Sequence, residues 1–74
     1  MFIKLHGVKG ARLLFNADHI RAVQEITEDS KYAVNLSYGA KSLVQVNESL
    51  VPVKESIIQI ENILKKAELI GGTT

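Results

Sequence analysis

The spacing of apolar residues changes once along this chain, near residue 50, and that change confines the fold to strands followed by a helix. In Phe2-Ile3-Lys4-Leu5-His6, Ile3 and Leu5 fall on one side and Lys4 and His6 on the other. In the run ending at Phe15, Leu13 and Phe15 oppose Arg12 and Leu14. Past residue 50 the period lengthens. Leu50, Val53, Ile57, Ile60, Ile63, Leu64 and Ala67 recur at three- and four-residue spacing, which aligns them on one side of a helix. Ile58 and Leu69 widen that stripe, and Lys54, Glu55, Gln59, Glu61, Asn62, Lys65 and Lys66 occupy the opposite face.

Turn residues punctuate the first part about every eight to twelve positions, as a meander of antiparallel strands requires. Gly7 and Gly10 bracket a turn through Val8 and Lys9. A second turn is expected at Asn16 and Asp18, whose side chains bond readily to nearby backbone. Ile20–Ile26 reads as the next strand. Tyr32, Val34 and Leu36 alternate with Ala33, Asn35 and Ser37, so that a hairpin is expected from 32–37 through Tyr38-Gly39-Ala40 into Lys41–Val46. The expected fold is α+β: a small antiparallel sheet of four to five strands followed by one amphipathic C-terminal helix. The strands occupy about 2–46, the helix about 50–69 and a frayed tail 71–74 of a single domain. Two helix starts remain open, one with Ser49 as N-cap and one with Pro52 at the first helical position.

A chain of 74 residues without cysteine gains no support from disulfides or thiolate-bound metal. Helix packing or self-association is then the expected source of extra stability. A hydrophobic fraction of 46% with 23% charged residues fits a folded protein. The first apolar run is broken by Lys4 and His6, unlike a signal peptide, and no stretch approaches the ~20 apolar residues of a membrane span. A cytoplasmic location is expected. Net charge is +1, with four basic residues against one acid in 1–24 and five lysines against seven acids beyond.

Catalytic chemistry finds no support. His6 and His19 sit on different elements, and adjacent Asp18 and His19 would point to opposite faces of an extended segment. No serine lies in a nucleophile elbow, and Gly7-Val8-Lys9-Gly10 lacks the pattern of a phosphate loop. No enzyme activity, metal or cofactor is therefore expected. Two binding classes remain. In the first, the edge of the helix stripe, at Ile58, Ile63 and Leu69, meets a protein partner, most simply a second copy in a homo-oligomer. In the second, Lys4, Arg12 and Tyr38 contact single-stranded nucleic acid.

Residues 1–50 resemble the FlbD/SwrD family of small flagellar and swarming-motility proteins. Phe15-Asn16-Ala17-Asp18-His19-Ile20 is similar to the aromatic, Asn-rich, acidic and isoleucine element of that family. Val46-Asn47-Glu48-Ser49 is similar to its Val-x-Glu-Ser strand end. The hairpin turn reads Tyr38-Gly39-Ala40 where the family pattern has an Asn-Gly type. The resemblance implies a non-enzymatic accessory protein acting on a larger machine, and it transfers no catalytic residue. A phage or mobile-element structural protein is the alternative for such a strand-rich pattern.

Overall fold

A computed structural model describes the backbone of residues 1–71 and the side chains of residues 1–67. The expected contact at Leu69 lies outside the described side chains; of the expected tail 71–74, residues 72–74 lie outside the described backbone and Gly71 belongs to the C-terminal helix. The elements in order are β1 (Phe2–His6), β2 (Arg12–Asn16), β3 (Ile20–Glu25), β4 (Ser42–Val46), β5 (Ser49–Val53) and α1 (Ile57–Gly71). The architecture is α+β with five strands, but they form two sheets where one was expected. β1 pairs with β2, and separately β3, β4 and β5 pair in that order, all antiparallel.

The β1–β2 hairpin turns as its glycines suggest. Lys9 (φ 60°) and Gly10 (φ 78°) both take positive φ, and the Ala11 N–H donates to the Val8 carbonyl at 3.3 Å. This pair of conformations matches the right-handed twist of the strands.

Residues 33–38 are not a strand. Ala33–Tyr38 forms a 3-10 segment closed by Gly39 at φ 91°. Alternation there is overridden by side chains that satisfy the local backbone. Ser30 Oγ accepts from the Tyr32 N–H, Asn35 donates to the Tyr32 carbonyl, and Ser37 donates to the Val34 carbonyl. The expected hairpin at Tyr38-Gly39-Ala40 is thus a helical stop, and Gly39 donates back to the Leu36 carbonyl at 3.1 Å.

The hairpin that β4 does make lies one element later. Val46 pairs with Ser49, and Asn47 turns the chain at φ 56°, a conformation asparagine tolerates. Leu50–Val53 therefore belongs to β5 and not to the helix, and neither Ser49 nor Pro52 starts α1. Pro52 is accommodated because β5 ends the three-stranded sheet. The helix begins after Ser56 with a reciprocal cap. Ser56 Oγ accepts from the Gln59 N–H at 3.2 Å, and Gln59 Oε1 accepts from the Ser56 N–H at 2.8 Å.

α1 lies against β1 and β3. Ile3, Leu5, Phe15, Val44, Val53 and Ile60 form the core beneath it. A second cluster of Ile26, Ala40 and Leu43 anchors the 26–41 connection, with Tyr32 and Leu36 packed on it. Both faces of β4 are covered, so Ser42, Leu43 and Val44 are all buried.

Candidate functional site

The two sheets meet at one backbone joint. Gly7 bridges Val53, and the Lys54 N–H donates to the His6 carbonyl at 2.7 Å. Gly7 is buried there, and a Cβ at this position would meet Leu13 Cδ1 at 3.0 Å. This joint delivers Glu55 to the end of β1. One Glu55 oxygen accepts from the His6 N–H at 2.9 Å, and the other lies 2.7 Å from His6 Nδ1. Burial pushes the Glu55 carboxyl up, but the hydrogen bonds from the His6 ring and backbone and from its own backbone outweigh it. The net direction is down. Lys41, Lys54 and Gln59 line the shallow depression around this pair. Both carboxylate oxygens are already engaged, so the pair fastens β1 to the entry of α1. Among the described residues, no group of three or more His, Asp or Glu side chains could hold a metal ion.

The Asn16 and Asp18 turn is a 3-10 segment, Ala17–His19, capped by Asn16. Asn16 Oδ1 accepts from the Asp18 N–H at 3.0 Å, whereas the Asp18 carboxylate is exposed. The two residues therefore separate in effect. Asn16→Ala is expected to cost about 1 kcal/mol through the lost cap, and Asp18→Ala close to nothing. Urea unfolding of each single variant measures the difference.

Lys4 and Arg12 both occur on the solvent side of the β1–β2 hairpin, with Phe2 and Leu14, which are 63% and 66% exposed. Tyr38 is elsewhere, with the Lys9 ammonium 5.3 Å from its ring. Phe2 pairs with Asn16 at the open end of the hairpin, and Lys9 lies in the turn at the other end. Phe2 and the Lys9–Tyr38 contact thus stand at opposite ends of the hairpin.

At the helix flank, Ile58 is 71% exposed and Ile57 is 39% exposed. Ile63 is half-buried and packs against the core. Ile57, Ile60 and Leu64 line a groove with Val23 of β3, and Glu61 and Lys65 form its rim. Sequence reasoning missed Glu55 and Val23. The Ser56-x-x-Gln59 spacing would have placed the helix start just after Glu55.

The resemblance motifs map onto turns. Phe15–Ile20 spans the end of β2, the Asn16-capped turn and the start of β3, and Val46-Asn47-Glu48-Ser49 is the β4–β5 hairpin. A second Val-x-Glu-Ser, Val53-Lys54-Glu55-Ser56, ends β5 and contains the joint carboxylate. No protein-family model matches this chain, and comparison with curated proteins and with solved structures returns no match. Among the described residues no helix is long and apolar enough to cross a membrane.

Proposed function

We propose that this protein is a small, non-enzymatic interaction module that associates with a second copy of itself. The FlbD/SwrD resemblance adds an accessory role on a motility machine. The observation that carries the reading is the first turn of α1, where Ile57 and Ile58 meet solvent beside an open apolar groove. Large apolar side chains grouped on a surface mark contact sites more often than scattered ones do. Ile58→Asp is the informative variant. Ile63→Asp is not, since a charge there would enter the core packing. Light scattering on a sizing column is expected to give a dimer or larger species for the wild type, and a folded monomer for Ile58→Asp. A monomeric wild type, or a variant of unchanged size, overturns the reading.

A further inference from the structure

We propose that the outer face of the β1–β2 hairpin docks on the headgroup layer of an anionic lipid bilayer. The register of the hairpin sets this face. Phe2 pairs with Asn16, Lys4 with Leu14 and His6 with Arg12, with no shift between them. Residues opposite one another in an antiparallel pair share a face, and faces alternate along each strand. Ile3, Leu5, Leu13 and Phe15 therefore fall on the inner face, where they join the core with Ile60 of α1. Phe2, Lys4, His6, Arg12, Leu14 and Asn16 fall on the outer face, and all but Asn16 are exposed. α1 packs on the inner side, so the outer face shares no residue with the groove at Ile57 and Val23 that serves self-association.

Charge and apolar surface select the partner together. No acidic residue occupies any position of this face. Lys4 and Arg12 have no ion-pair partner among the described residues, while His6 is engaged by the little-exposed Glu55. The cations of Lys4 and Arg12 thus suit a surface of negative charge. Phe2 and Leu14 are diagonal neighbours across the pair, and Leu14 stands opposite Lys4 and two residues from Arg12. An exposed leucine among cations offers a nucleic acid little, because bases stack on aromatic or guanidinium planes. In a headgroup layer the leucine and the phenylalanine enter the apolar boundary. The lysine and arginine stems lie along them, and their charged ends remain with the phosphates. A bilayer needs no complementary shape, so a flat two-stranded face can engage it.

Cosedimentation with sucrose-loaded vesicles tests the docking, with phosphatidylcholine alone set against an equal mixture of phosphatidylcholine and phosphatidylglycerol. The wild type is expected to bind the mixed vesicles at low salt, to release them as salt rises, and to leave phosphatidylcholine largely unbound. Lys4→Gln with Arg12→Gln is expected to lower the partition coefficient about tenfold or more. Phe2→Ser with Leu14→Ser should lower it about tenfold at unchanged charge. Lys4→Arg with Arg12→Lys, which keeps both charges, should bind as the wild type does. Circular dichroism checks the folding of each variant. A wild type that ignores the mixed vesicles at low salt overturns the docking. So does binding that Phe2→Ser with Leu14→Ser leaves unchanged, since charge alone would then hold the protein. Binding to oligothymidylate or polyglutamate but not to the vesicles also overturns it, and gives the face to a nucleic acid or an acidic protein.

Discussion

Ile60→Ala should remove a large share of the folding stability. Ile60 is 1% exposed, and it is the only fully buried residue of α1 among the described residues. It reaches the cluster that holds Ile3 and Leu5 of β1 and Val44 and Val53 of the other sheet. One side chain thus secures the helix to both sheets. Truncating a buried isoleucine to alanine costs about 2–5 kcal/mol, part from lost transfer energy and part from the cavity left behind. A domain of 74 residues commands roughly 4–11 kcal/mol in all. Urea titration followed by circular dichroism should show a midpoint shifted far toward zero denaturant. A loss under about 1 kcal/mol would mean that α1 is not held by this contact.

Glu55→Gln should remove an acid-sensitive part of the stability. The carboxylate accepts from the His6 backbone N–H and lies against the His6 ring, and a glutamine offers only one acceptor oxygen for the two positions. The expected cost at neutral pH is about 1–2 kcal/mol, held down by solvent at the half-exposed His6. The folded state holds the Glu55 carboxyl below its ordinary range. The unfolded chain therefore takes up the proton first as pH falls. The stabilisation is complete above the unfolded glutamate value of about 4.3 and is lost as pH drops through the lower folded value. Urea midpoints compared from about pH 7 down to about pH 3 should show wild type and Glu55→Gln converging toward the acid end. Parallel curves across that interval would mean that the carboxylate does not stabilise the joint.

Local patterns were readable where one interaction decides the structure. Burial on one side of a strand marks Ile3, Leu5 and Phe15, and the glycines mark the first turn. The stripe Ile60, Ile63, Leu64 and Ala67 is that of α1. The reading failed where two periods fit the same residues. Leu50 and Val53 are three apart, which suits a helix, but with Val51 and Pro52 they form the returning arm of a hairpin that Asn47 starts. Tyr32, Val34 and Leu36 alternate, yet Val34 is 63% exposed, because serine and asparagine side chains hold that segment in helical turns. His6 and Glu55 are 49 residues apart, and no local periodicity connects them.

That separation also bears on how the chain folds. The β1–β2 and β4–β5 hairpins close short loops and can form independently. The Gly7–Val53 bridge and the His6–Glu55 clasp must instead draw together two distant parts of the chain, against a loop-closure entropy that local pairs do not face. The core cluster takes Ile3, Leu5 and Phe15 from one sheet and Val44 and Val53 from the other, so neither sheet holds it alone. Closure supplies α1 with both of its walls at once, so the joint is where two marginal pieces become one cooperative unit.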